Sequence, residues 1–153
     1  MAHTIIISII ALGATGLTGV VAARDEVQTA HLTFRAVSSP ETYRLAVRAD
    51  GKPVKTGHDA LNVSHIDAPD YLARALCKFQ TSREVKLSTT VAKDGVTQQV
   101  VLDPPQPVLT VRCQGQCVYT YGACYDTNNQ PVGPCCNGLC VATRCRPWNL
   151  GHP

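Results

Sequence analysis

Cys113-Gln-Gly-Gln-Cys117-Val-Tyr-Thr-Tyr-Gly-Ala-Cys124-Tyr-Asp-Thr-Asn-Asn-Gln-Pro-Val-Gly-Pro-Cys135-Cys136-Asn-Gly-Leu-Cys140-Val-Ala-Thr-Arg-Cys145 holds seven of the chain's eight cysteines. From Cys117 onward the gaps are six, ten, zero, three and four residues. A segment this short cannot bury enough apolar surface to fold unaided. Below about 40 residues a chain needs disulfides or a metal. Gly115, Gly122, Gly133, Gly138, Pro131 and Pro134 supply turns, which suits a loop-rich, cross-linked unit.

The other end of the chain bears on which cross-link to expect. Residues 1–23 contain no Lys, Arg, Asp or Glu, and Ile5 to Leu17 is mostly apolar. Val21-Ala22-Ala23 places small residues before Arg24, as signal-peptidase cleavage requires. The run is too short and too interrupted by glycine to read as a membrane span. We therefore expect residues 1–23 to be a signal peptide and the mature chain to be secreted. All eight cysteines follow the leader, and in an oxidising compartment an even count should pair. The rival reading is zinc, for which Cys113-x3-Cys117 has tolerable spacing. Adjacent Cys135 and Cys136 point in different directions and suit a shared metal poorly. No metal and no cofactor are expected.

Working outward, residues 24–112 contain a single cysteine, Cys77, and nearly all the charge. From Cys113 on, only Asp126, Arg144 and Arg146 are ionised at neutral pH. That shift divides the mature chain into residues 24–112 and 113–153, with Gln114-Gly115-Gln116 as the whole hinge. The two units should sit close and move little. The first reads as strands. Residues 31–37 and 42–48 alternate apolar with polar, with Leu32, Phe34, Tyr43, Leu45 and Val47 inward. Stretches 61–65, 76–80, 84–88, 96–102 and 108–112 follow, and Asp50-Gly51 and Asp94-Gly95 mark turns. Pro104-Pro105-Gln106-Pro107 is a stiff extended piece, and residues 69–75 hold at most one helical turn. The fold class is all-β: a small sandwich or barrel, then a disulfide-rich mini-domain. Cys113 sits just past the last strand, so pairing it with Cys77 would staple the β unit. Such a bridge closes a loop of about 37 residues and contributes about 4 kcal/mol in the chain-entropy model.

The ladder from Cys117 to Cys145, with its adjacent third and fourth cysteines, resembles the inhibitor cystine knot, or knottin, family. Spacing alone leaves fifteen pairings of six cysteines open. The resemblance implies first to fourth, second to fifth and third to sixth: Cys117–Cys136, Cys124–Cys140 and Cys135–Cys145. It also implies a small hairpin, for which Asn137-Gly138 is the turn signal, and a role in binding rather than bond-making. The β unit resembles small secreted proteins of filamentous fungi. The similarity lies in His31-Leu-Thr-Phe-Arg-Ala, Gly51-Lys-Pro-Val-Lys, Leu61-Asn-Val-Ser-His-Ile66, Cys77-Lys-Phe and Asp103-Pro-Pro-Gln-Pro-Val-Leu-Thr-Val-Arg-Cys113. That resemblance implies the Cys77–Cys113 bridge and an effector-like, virulence-associated role in contact with a host. The appended knottin departs from that pattern and could have its own target.

The chain carries no GxSxG, HExxH or phosphate-binding glycine loop, and no enzyme activity is expected. His31 and His65 fall in strands as surface or rim residues. His58-Asp59 lies in a loop with no nucleophile placed beside it. Asp67 and Asp70 bracket Pro69 and read as a solvated turn. A net charge of +3 is too mild to imply nucleic acid. Binding candidates are Tyr119, Tyr121 and Tyr125 near the first loops, with Arg144, Arg146 and Trp148 at the end of the ladder. Cationic and aromatic groups together suit a protein interface or an acidic partner; Trp148 could instead cover the ladder. The expected partner is a host or extracellular protein: a protease to inhibit, a receptor, or a channel blocked in toxin-like fashion. A stacking platform of tyrosines would instead take a glycan. Trypsin inhibition is disfavoured because residues 118–123 lack Lys and Arg, while chymotrypsin-like inhibition through Tyr119 or Tyr121 stays open. The long polar loop from Tyr125 to Pro134 is the expected variable recognition loop. Asn62-Val63-Ser64 is a glycosylation sequon. A monomer is expected.

Overall fold

The computed structural model describes residues 26–148. The leader expected over residues 1–23 lies outside them. Ten strands and one helical turn run in order: β1 Thr29–Ala36, β2 Thr42–Arg48, β3 Val54–Lys55, β4 Val63–Ala68, α1 Ala73–Leu76, β5 Cys77–Thr81, β6 Lys86–Val91, β7 Gln98–Gln106, β8 Val108–Cys113, β9 Leu139–Val141 and β10 Arg144–Arg146. The first eight strands make two antiparallel sheets. One is ordered β2-β1-β4-β7-β6 and the other β3-β8-β5. The fold is all-β and disulfide-rich.

Alternation is what makes these strands pair as they do. On β1, Ala30, Leu32 and Phe34 are buried, and each meets an inward or half-buried residue of β2: Val47, Leu45 and Tyr43. The Phe34 and Tyr43 rings stack at 4.4 Å. Val63 and Ile66 of β4 and Val100 and Leu102 of β7 join them. Val108 and Val111 of β8 close the same cluster from the second sheet, so the two sheets share one core as a sandwich. Cys77 and Cys113 stand directly opposite each other in the β5–β8 register and are bridged.

Three sequence expectations shift. The strand expected over residues 61–65 runs instead over Val63–Ala68, and Asp67, expected in a solvated turn, is buried inside it. Arg35 Nε donates to Asp67 Oδ2 at 2.6 Å and Gln99 Nε2 donates to Oδ1 at 2.7 Å, so cross-strand partners satisfy the carboxylate. The Asp67 carboxylate in turn raises the Arg35 pKa by hydrogen bonding and charge. Pro104 to Gln106 is the end of β7 rather than a free spacer. The buried Gln106 side chain accepts from the Arg83 amide at 2.9 Å and donates to the Glu84 carbonyl.

The cysteine-rich unit is built on three more bridges, Cys117–Cys136, Cys124–Cys140 and Cys135–Cys145, and no cysteine is free. These are the partners named from the resemblance. The sulfurs of Cys124, Cys135 and Cys145 lie within 4.8 Å of one another. All three are held in disulfides, so none offers a thiolate to zinc. The hairpin turn differs from expectation. Asn137-Gly138 precedes β9, and the β9–β10 turn is Ala142-Thr143, both left-handed with φ of 48° and 65°. A two-residue turn of that hand usually calls for Asn-Gly. Here the Cys140–Cys145 positions, opposed in the register and each bridged elsewhere, hold the hairpin closed. Gly138 is needed for another reason: a Cβ there would lie 1.7 Å from the Arg146 carbonyl oxygen.

Candidate binding face

Three side chains fix how the cysteine-rich unit sits on the sandwich. Asn137 is 1% exposed. Its Oδ1 accepts from the Gln98 amide at 2.8 Å, and its Nδ2 donates to the carbonyls of Ala68, at 3.1 Å, and Pro69, at 2.6 Å. Only one orientation of the amide satisfies one donor and two acceptors together. At the start of β1, Gln28 mirrors a strand partner. Its Oε1 accepts from the Cys117 amide at 3.0 Å and its Nε2 donates to the Cys117 carbonyl at 3.2 Å. The Tyr71 hydroxyl donates to the Gly115 carbonyl at 2.9 Å. Cys117 and Cys136 belong to the sandwich's own core cluster. The hinge is therefore no hinge, and the loops beyond it are carried on a fixed base.

On that base the turn over residues 121–124 runs alongside β10. Ala123 bridges Arg144, the Tyr121 amide donates to the Cys145 carbonyl at 2.7 Å, and the Cys145 amide donates to the Gly122 carbonyl at 2.9 Å. On the other side of β10, Arg144 faces Val141 and Arg146 faces Leu139. Residues opposite each other in an antiparallel pair share a face. The two arginines thus run down the middle of a surface, with Leu139 and Val141 on one flank and Tyr121 on the other. Cys145, between the arginines, turns inward and is fully buried. The Arg146 guanidinium carbon lies 5.6 Å from the Tyr121 ring centroid, a cation–π contact. Arg144 Nη1 donates to the Tyr121 carbonyl at 3.0 Å. Neither arginine meets a carboxylate among the described residues. Tyr121, at 60% exposure, and Leu139, at 49%, are apolar groups left in water.

Backbone strain gathers here too. Tyr121 is left-handed at φ 69°, close to the left-handed Ala142 and Thr143. Such residues persist only where their surroundings hold them, and they are enriched at functional sites.

The other sequence candidates part company. Tyr119 lines a groove of about 570 Å³ between the two units, with Gln28, Thr29, His31, Asp70 and Gln116. There His31 Nδ1 meets Asp70 Oδ2 at 2.5 Å. Asp70 is thus a partner of β1. An oriented imidazole is part of a catalytic triad, but no hydrogen bond joins His31 to a hydroxyl among the described residues. Tyr125 sits opposite Pro131 at the neck of the long loop. Within that loop Asp126 Oδ1 accepts from the amides of Asn128 and Gln130, both at 2.8 Å, so its exposed residues are pre-ordered. Tyr119, Tyr121 and Tyr125 are all exposed. Trp148 is half-buried, with its indole N–H out of water and unpaired among the described residues. His58 stacks on Tyr43 at 3.9 Å and is not poised beside a nucleophile. Asn62 is exposed at the entry to β4.

Sequence reasoning missed Asn137, Gln28, Leu139 and Val141. The last two had a signal: they flank Cys140 in a short strand, and alternation places them on the face opposite that bridged cysteine. Asn137 and Gln28 had none, because each acts on backbone far away in the chain.

Among the described residues no helix is long and apolar enough to cross a membrane, and four disulfides fit an oxidising compartment. No family model, curated protein or solved structure matches this chain.

Proposed function

We propose that this is a secreted, non-enzymatic binding protein. The sandwich is a scaffold, and the knottin-like unit is a recognition head for a host or extracellular protein. The observation that carries the reading is the face of Tyr121, Leu139, Val141, Arg144 and Arg146. It combines exposed apolar groups with two cations that lack carboxylate partners, on a backbone cross-linked by three bridges. Interfaces concentrate affinity in aromatic and arginine anchors. A frame already fixed by disulfides loses little freedom on binding. The resemblance to small secreted fungal proteins makes host tissue the natural source of the target and an effector-like role the natural context.

A protease inhibitor is the second reading. It requires a segment laid extended across an enzyme cleft. The Tyr119 carbonyl accepts from the Gly122 amide at 2.9 Å, which closes a tight turn, and Tyr121 is left-handed within it. The turn supports this reading less well than the open face supports the first.

The test uses the full secreted chain as bait on extracellular extracts, then compares the captured target's affinity for wild type, R146A, R144A and Y121A. We expect at least a tenfold loss for R146A and Y121A, about 1.4 kcal/mol, with melting temperature and disulfide content unchanged. If all three bind as wild type, the face is not the anchor and the loop from Tyr125 to Pro134 takes its place. Nanomolar inhibition of a purified protease would select the second reading, and block of a channel in electrophysiology a toxin-like one.

A further inference from the structure

We infer that Asn62 is an N-glycosylation site, and that its glycan occupies the pole of the sandwich opposite the recognition head. Three observations meet there. The sequon Asn62-Val63-Ser64 enters β4 with Val63 fully buried, so alternation turns Asn62 and Ser64 to the outer face together. The Asn62 carbonyl accepts from the Val37 amide at 3.3 Å, which pins its backbone while the residue stays exposed. The surroundings suit a sugar. Val37, 54% exposed, lies with Ser38, Ser39, Glu41, Leu61 and Pro105 around a shallow groove that Asn62 rims. A first N-acetylglucosamine there would cover Val37 and Pro105 and meet hydroxyls and a carboxylate.

The topology sets the direction. Asn62 stands at the start of β4, beside the ends of β1 and β7, where Val63 pairs with Gln106. The cysteine-rich unit docks at the other end of the same strands, on Ala68 of β4, Gln98 of β7 and Gln28 before β1. Six residue steps of strand separate the two, about 20 Å. A glycan on Asn62 therefore leaves the Tyr121–Arg146 face clear.

In the transfer, Asn62 Nδ2 forms a bond to the anomeric carbon of a lipid-pyrophosphate-linked oligosaccharide. The pyrophosphate leaves with the electron pair, and Nδ2 gives up a proton. The inference rests on entry into the secretory pathway, which the leader proposed for residues 1–23 would provide. A heterologous leader supplies that entry in the test, so failure of the native leader and failure of the site are read separately.

The full chain is expressed behind that leader in a eukaryotic secretory host and weighed intact. We expect a mass above that of the oxidised chain. An amidase that releases N-glycans should remove the excess and leave aspartate at position 62. N62Q and S64A should each abolish the added mass and S64T should keep it, which separates a missing sequon from a misfolded variant. Hydrogen exchange of glycosylated against amidase-treated protein should differ around Val37–Glu41, Leu61–Asn62 and the Gln106 amide beside Pro105, and not across 119–146. Unmodified Asn62 in both wild type and S64T overturns the site. Exchange differences spread over the head overturn its placement.

Discussion

Replacing Asn137 with alanine tests the junction on which the binding reading depends. The side chain is buried and makes three hydrogen bonds, all to backbone of the sandwich. A net hydrogen bond contributes about 1 kcal/mol, and a buried donor or acceptor left without a partner costs about 1–3 kcal/mol. N137A strands the Gln98 amide and the Ala68 carbonyl, with water able to relieve part of the cost at the more open Pro69. The expected loss is about 3 kcal/mol, a large share of a typical net stability of about 5–15 kcal/mol. Denaturant unfolding with disulfides intact measures it, and hydrogen exchange at the Gln98 amide locates it. N137D sharpens the test. A carboxylate still accepts from Gln98 but faces two carbonyl oxygens with nothing to donate, and burial disfavours its charge. Its folded-state pKa should rise above the unfolded value, so the variant is weakest above that pKa. It should regain stability as pH falls and the neutral acid donates one bond. If N137A costs under about 1 kcal/mol and N137D gains nothing on acidification, Asn137 does not hold the units together.

Two further outcomes follow from the geometry. Replacing Cys77 and Cys113 together with alanine should lower stability by about 4 kcal/mol, while mass mapping still finds the other three bridges. Loss of those bridges as well would show that the two systems do not form independently. The buried Tyr43 phenol has its pKa pushed up to about 12 by burial, against a smaller opposite pull from Thr56. Below an unfolded value of about 10, both states are neutral and stability is unaffected. Above it the unfolded chain gives up its proton first, and stability falls as pH rises toward about 12. An absorbance titration of the native protein should show late tyrosinate absorbance that shrinks in Y43F, with the remainder from Tyr71, whose pKa burial also raises; late absorbance unchanged in Y43F refutes the assignment.

What the sequence made legible is what local pattern encodes. Alternation at Leu32, Phe34, Tyr43 and Val47 announced β1 and β2, because a half-buried strand must repeat every two residues. Cys77 and Cys113 are informative by position, at one strand's start and another's end. The candidates Tyr121, Arg144 and Arg146 do come together. Their meeting depends on how the turn at residues 121–123 lies along β10, which no single stretch of chain displays. The Ala142-Thr143 turn was hidden for a different reason: its residues carry none of the usual permissiveness for positive φ, and distant bridges impose the conformation. Asp67 was misread because a carboxylate beside a proline looks solvated until Arg35 and Gln99 arrive from other strands.

The shared core argues against treating the head as a detachable module. Cys117 and Cys136 bridge each other inside the cluster that holds Leu32, Val100 and Val111. Asn137, the next residue, is sealed against β4 and β7. One disulfide and one amide therefore belong to both units at once. A peptide cut at Cys113 would expose that bridge and leave Asn137 without its three partners. Cys124–Cys140 and Cys135–Cys145, which lie farther out, would keep their surroundings. In such a peptide the outer turn carrying Tyr121 and the β9–β10 hairpin should survive, while the inner end frays. In the whole chain the sandwich supplies burial that so small a unit lacks, and the exposed arginine face is held at a fixed angle to it. Rigidity of the face thus comes from two sources, bridges within the unit and hydrogen bonds beneath it. Only the first is contained in the cysteine ladder itself.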